Sequence, residues 1–304
     1  MLKTVLALDD HEEDVAAGET TAVLASPAET IADCRARAEV YRLLCGAFVE
    51  EPGSEFIAAL RTPAALAELA EAGLRFDADF LDTPHDALIE ALAIEYTQQF
   101  ASSGGFPAVE SVRLTGRYKQ QPNFDAMQTY KRLGFVLRPG RFEVFADQLG
   151  VELMFVAELL ERAANALEQG DAVTQRRLDK EIKRFWTQHL GRWVRGYSRL
   201  IERTSEHSFF REMARFLGGF AAEEIEAMGL RIEDRDQARL EVPKDDIRVE
   251  FNPNEPVCNG CMTDALSTTL SAPDNVRRLE EMRSLNKLND QNDLRDLRDL
   301  RDPG

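Results

Sequence analysis

The sequence predicts an all-α protein: a single irregular helical bundle between an acidic N-terminal arm and an extended, partly disordered C-terminal tail. Three observations carry this reading. From about residue 30 to residue 229, apolar side chains recur at three- and four-residue steps, the spacing of one helix face. Before residue 230 no run alternates as a half-buried strand does, and no strand–helix–strand alternation appears. The helical stretches also differ in length, which favours a bundle over a repeat array.

Residues 1–29 carry one Lys against seven Asp/Glu and show no clear period, so they read as a mobile arm. Ile31, Cys34, Ala38, Tyr41, Cys45 and Phe48 then mark one helix face, which Pro52 and Gly53 end. A weaker helical run covers roughly 54–72. Thr83-Pro84-His85-Asp86 is a helix start, with a cap, a proline suited to the first turn and an acid favoured by the helix dipole. Leu88, Leu92, Glu95/Tyr96 and Phe100 follow on one side, and "SSGGFPAVES" (102–111) breaks the pattern as a loop.

A helix over about 123–134 and the turn Arg138-Pro139-Gly140 lead into an apolar stripe of Leu149, Leu153, Val156, Leu160 and Leu167. Leu178, Ile182, Phe185, His189, Trp193, Tyr197 and Leu200 read as one long amphipathic run, and a last helical pair covers 206–228. After Leu230 the composition changes. The segment 230–304 is Pro-punctuated, then charge-alternating with a three-residue DLR repeat that cannot keep an apolar stripe on one side of a helix.

The 304 residues are 44% apolar, enough to bury a sizeable core. A net charge of −17 argues against nucleic acid as partner, because neutralising phosphates requires clustered Lys and Arg. The sign suits a cationic partner, or solubility alone. Four cysteines are too few for a disulfide framework. "MLKTVLALDDHEED" is not a signal peptide, and no stretch approaches the roughly 20 apolar residues of a membrane span, so a cytoplasmic protein is expected.

Few residues point to chemistry. Cys258 and Cys261 form "CNGC", which can hold zinc or an iron–sulfur cluster or act as a redox pair, yet supplies only two of four ligands. A site shared across a dimer would complete it. Cys34 and Cys45 sit on an apolar helix face and read as small core residues. His189, between Phe185 and Trp193, reads as a core histidine with one hydrogen bond. No established catalytic or nucleotide-binding motif appears in proper context, so a helical enzyme or regulator of unknown chemistry stays only as an alternative.

One feature of "RFEVFADQLGVELMFVAELLERA" (141–163) asks for an explanation: Asp147, Gln148 and Glu152 crowd the front of an apolar helix. Asp147 as N-cap with acids in the first turn is one answer. The other comes from four segments taken in order: "EYTQQFASSGGFPAVESV" (95–112), "YKRLGF" (130–135), "FADQLGVELMFVAELL" (145–160) and "FWTQHLGRWVRGYSRLIERTSEHSFFREMARFL" (185–217). Together they resemble the TorD/DmsD/NarJ-type chaperones that mature molybdenum redox enzymes. The resemblance covers about residues 30–228. It implies an all-helical, non-catalytic protein with no cofactor of its own. Its partner would be the catalytic subunit of a molybdopterin oxidoreductase, bound through a twin-arginine signal peptide and held in the cytoplasm until cofactor insertion. A monomer or a homodimer would serve.

The family positions fall on Tyr96 and Phe100, on Pro107, Glu110 and Ser111, and on Asp147, Gln148 and Glu152, with His189 and Trp193 supporting the later helix. Two departures stand out: Gln148 replaces the family's usual histidine, and Ala146 replaces a proline. A twin-arginine leader has a basic front and an apolar stretch. Its receptor needs carboxylates for the guanidinium groups beside an apolar groove. The expectation is that Tyr96, Phe100 and Phe145 wall that groove while Glu110, Asp147 and Glu152 hold the charge.

Overall fold

A computed structural model describes residues 26–100, 105–137 and 145–240. The contact pattern divides the chain into Met1–Val249 and Glu250–Gly304, and every described residue belongs to the first unit. The acidic arm, the CNGC pair Cys258/Cys261 and the DLR tail lie outside the described residues. Within them the protein is all-α: eleven α-helices and one 3-10 turn, with no strand. None of these helices is long and apolar enough to cross a membrane.

Helix α1 (Pro27–Phe48) begins earlier than the periodicity suggests, because Ser26-Pro27-Ala28-Glu29 forms a capping box. Ser26 Oγ accepts the Glu29 N–H at 3.2 Å, and Glu29 Oε2 accepts the Ser26 N–H at 2.7 Å. The single weak run expected over 54–72 is two helices, α2 (Ser54–Leu60) and α3 (Pro63–Glu71). Pro63 cannot donate to a continuing helix, and the Thr62 hydroxyl caps the new one by accepting from the Ala65 N–H. The short α4 (Ala78–Leu81) precedes α5 (His85–Phe100).

The expected loop over 102–111 ends in a further helix, α6 (Glu110–Thr115), too short for periodicity to reveal. Helix α7 (Gln121–Arg132) starts where Pro122 fits its first turn. Helix α8 (Leu149–Glu168) runs along α1, and α9 (Ala172–Gln188) runs beside α8. The long run expected over 178–200 is broken. His189 leaves helical geometry (φ −125°, ψ −98°), Leu190–Arg192 form the 3-10 turn, and α10 (Val194–Thr204) starts afresh. The apolar side chains keep a helical spacing across the break, so hydropathy alone does not show it. Helix α11 (Ser208–Ala227) pairs with α10.

The core is aromatic. Tyr41, Phe48, Phe185, Trp186, Trp193 and Tyr197 are all fully buried. Polar clasps tie the helices around it. Arg37 makes a two-pronged pair with Glu224 (both 2.8 Å), Tyr41 Oη donates to the same carboxylate at 2.6 Å, and Trp186 Nε1 donates to Tyr41 Oη at 2.8 Å. Burial joins α1, α9 and α11 at this point.

The described residues after α11, 228–240, form no helix, but they are anchored. Asp236, 2% exposed, accepts two bonds from Arg113 of α6 at 2.6 and 2.8 Å. Gly196 lets the segment approach α10: a Cβ there would stand 2.8 Å from Asp236 Cβ and 2.9 Å from the Gln237 backbone nitrogen.

Candidate functional site

The mouths of α6 and α8 are spliced together. An isolated antiparallel bridge pairs Val109 with Gln148. The Glu110 N–H donates to the Asp147 carbonyl at 2.9 Å, and the Leu149 N–H donates to the Ala108 carbonyl at 2.8 Å. Backbone donors that a helix start leaves open are thus used between two helices.

Side chains complete the joint. Gln148, and not Asp147, is the N-cap of α8: its Oε1 accepts the Val151 N–H at 3.1 Å. Its Nε2 donates to the Phe48 carbonyl at 2.6 Å, so one amide closes the start of α8 and the end of α1 together. Asp147 caps the other helix, with Oδ2 accepting the Ser111 N–H at 2.8 Å. Tyr130 Oη donates to the Ala146 carbonyl at 2.8 Å, and Asn123 Oδ1 accepts the Ala146 N–H at 3.0 Å. Gly150 permits the α1–α8 approach, since a Cβ there would meet Val49 Cβ at 2.5 Å and Val49 Cα at 2.6 Å.

Glu110, Asp147 and Glu152 meet inside this joint, and each is 0% exposed. That corrects the expected picture of acids facing an open groove: in this conformation none of them presents an oxygen to an external arginine. His189 joins them, 2% exposed, with Nδ1 2.8 Å from Glu110 Oε2 and its ring packed at a tilt on Phe185, centroids 4.7 Å apart. This is a core histidine with one hydrogen bond, as the sequence suggests, though it ends its helix instead of continuing it. Trp193 Nε1 donates to Glu152 Oε2 at 3.3 Å. Donor atoms of Glu110, Glu152 and His189 all lie within 4.8 Å of one another.

The electrostatics follow from burial. Desolvation, then the charges of Glu110 and Asp147, push the Glu152 carboxyl well above its ordinary value. Burial also raises Asp147, against the opposing bond from Ser111. The nearest cation to the group is Arg192, whose Nη1 stands 3.9 Å from Glu110.

The residues expected to wall one groove divide between two places. Phe100 packs with Tyr96 (4.9 Å), Phe48 (6.0 Å) and Phe210 (5.4 Å), while Phe145 stacks on Tyr118 at 4.8 Å. Pro107 is half-buried in the segment that carries the bridge, and Ser111 is buried in α6.

Two recesses open nearby. An apolar cleft of about 460 Å³ lies along the front of α8, lined by Val49, Phe135, Val136, Leu137, Val151 and Met154, with Glu158 at its edge. Val136 is 85% exposed and Met154 37%, so apolar surface faces solvent here. The sequence reading missed this cleft, although Met154 falls on the face of α8 opposite the core stripe. A larger recess of about 1020 Å³ is bordered by His189 and by Arg132, Arg184, Arg192, Arg231 and Arg235.

No curated protein matches the chain. Residues 59–197 match the family model described as nitrate reductase delta subunit, a span running from the end of α2 into α10 and holding Glu110, Asp147, Glu152, His189 and Trp193. Over that span the chain is similar to the nitrate reductase delta subunits, a family of molybdoenzyme assembly chaperones, which is consistent with the TorD/DmsD/NarJ-type resemblance.

Proposed function

We propose that this protein is a cytoplasmic, client-specific chaperone. It binds the twin-arginine signal peptide of a molybdopterin oxidoreductase catalytic subunit and holds that subunit until its cofactor is in place. The observation that carries the reading, beside the family match, is the cleft along α8: exposed apolar side chains next to acidic ones, on a chain of net charge −17. An amphipathic or apolar leader segment fits such a groove. The guanidinium groups then meet the acids at its edge, Glu158 and the exposed Glu50 that follows Val49. Glu110, Asp147 and Glu152 hold the two helix mouths in register beneath the cleft. Phe100 packs on Phe48, the residue before Val49 of the cleft.

Calorimetric titration with a synthetic Arg-Arg leader tests this. Met154→Asp places a charge in the apolar cleft and should weaken binding by more than tenfold, about 1.4 kcal/mol. Glu158→Gln should weaken it roughly two- to fivefold at low salt, within the range of an exposed ion pair, and less at high salt. Asp147→Asn keeps the acceptor for the Ser111 N–H and should bind as wild type. Undiminished binding by the Met154 variant would remove the leader from this cleft. A folded Asp147→Asn protein with tenfold weaker binding would show that the joint opens and that the buried acids themselves receive the arginines.

A further inference from the structure

The buried joint has a pattern that leader binding does not use. Each of its three carboxylates has one oxygen held and one oxygen unpartnered. Glu110 Oε2 is tied to His189, Glu152 Oε2 to Trp193 Nε1, and Asp147 Oδ2 to the Ser111 N–H. Glu110 Oε1, Glu152 Oε1 and Asp147 Oδ1 are fully buried and have no hydrogen-bond partner. Unpaired buried oxygens are costly, and three from three different carboxylates in one place call for a common occupant.

We propose that Glu110, Glu152 and His189 form a binding site for a divalent transition-metal ion of the zinc class, between α6, α8 and the turn after α9. The donor set, two carboxylates and an imidazole, is one that zinc accepts, with Asp147 as a further oxygen beside it. The donor atoms lie within 4.8 Å of one another. Ligands about one zinc ion are separated by at most about 4.2 Å, twice a bond of ~2.1 Å, so a small rotation of these side chains closes the set. The held oxygens play the part of an outer shell: Trp193, the Ser111 amide and the Phe185 ring fix the orientation of the ligands. Charge points the same way. Among the described residues, the one Arg or Lys within 4.0 Å of these three carboxyl groups is the partly exposed Arg192; a doubly charged ion adds to the balance. His189 borders the large recess, which gives a route inward, but the arginines around that recess oppose a cation. The ion therefore enters as the chain folds, and metal binding becomes part of folding stability.

The test uses the full chain carrying Cys258→Ser and Cys261→Ser, so that the CNGC pair cannot account for any metal. The protein is unfolded in urea with chelator, refolded with zinc or manganese alone, and analysed for metal. About one ion per chain is expected, as in a structural site. At a hundredfold excess over the dissociation constant the thermal midpoint should rise by roughly 5–10 °C. Glu152→Gln, which keeps an acceptor for Trp193 and resembles the neutral acid, should fold and lose both the metal and the shift. His189→Gln should do the same, and if it fails to fold the Glu152 variant decides alone. No bound metal after refolding would overturn the proposal and leave a proton shared between Glu110 and Glu152. Undiminished metal in Glu152→Gln would overturn it too. The readout is independent of leader binding, so either reading can fail without the other.

Discussion

Asp236→Ala should be among the most damaging substitutions in this protein, although Asp236 lies beyond α11. The side chains of Arg113 and Asp236 are 4% and 0% exposed, with two bonds at 2.6 and 2.8 Å between them. Removing the carboxylate leaves a buried cation with one remaining acceptor, the Arg239 carbonyl at 2.7 Å, and the face of Tyr197 at 5.6 Å. Breaking a buried pair by deleting one partner costs about 3–5 kcal/mol, because the other charge stays desolvated. For a folded unit of about 200 residues, 1 kcal/mol moves the midpoint by roughly 2–4 °C, so a fall of about 6–20 °C is expected.

Far-UV circular dichroism during heating, with urea titration for the free energy, measures this. The double change Arg113→Met with Asp236→Leu is the control. Replacing a buried pair by apolar groups of similar volume is often nearly neutral, so it should recover most of the loss. A loss below about 1 kcal/mol in Asp236→Ala would refute the reasoning. It would mean that the segment after α11 lifts away at little cost and lets water reach Arg113, so that the stable unit ends near Gly229.

Two further substitutions test the joints between helices. Gly150→Ala should destabilise by about 1–3 kcal/mol in a denaturant titration despite alanine's better helix propensity, since the added methyl meets the α1 backbone at Val49 and cannot be relieved by a rotamer change. A neutral result would show that α1 and α8 slide freely. His207→Asn should flatten the acid side of the stability profile. His207 Nδ1 caps α11 by accepting the Phe209 N–H at 3.1 Å, and burial lowers its pKa below the ordinary 6.5, against the pull of Asp79. A lowered folded pKa gives stability that is present above about pH 6.5 and lost as pH falls through the folded value. Asn caps without titrating, so its thermal midpoint should drop less between about pH 7 and 5. Parallel profiles would exclude His207 as the titrating group.

Helix existence was legible wherever apolar residues repeated over three turns or more, as in α1, α8, α9 and α11. What hydropathy could not show was where a helix stops while its apolar face continues. His189 is the clearest case: Phe185, His189 and Trp193 all point inward, yet the backbone turns between them. Alpha6 escaped for the opposite reason, being too short to show a period and starting inside a Gly-rich stretch. Capping was half legible. The Ser26 box can be read directly from Ser-Pro-Ala-Glu. The choice between Asp147 and Gln148 could not be, because Asp147 is claimed by a helix 36 residues away in sequence.

That long-range claim also answers why an apolar helix carries acids at its front. The resemblance to the TorD/DmsD/NarJ-type chaperones suggested an outside purpose: carboxylates waiting for a basic peptide. The structure uses Asp147 to start α6, Glu110 to hold His189 and Glu152 to accept from Trp193, all out of water. A single sequence cannot separate these possibilities, because an acid at a helix start costs nothing when exposed and is favoured by the dipole either way. Burial separates them. Once three carboxylates are enclosed, each charge must be neutralised by a proton, a cation or a partner. Burial, then the neighbouring carboxylates, raises the Glu152 carboxyl well above its ordinary value, and one oxygen of each of the three has no hydrogen-bond partner. Whatever occupies them therefore acts on the register of α6 against α8.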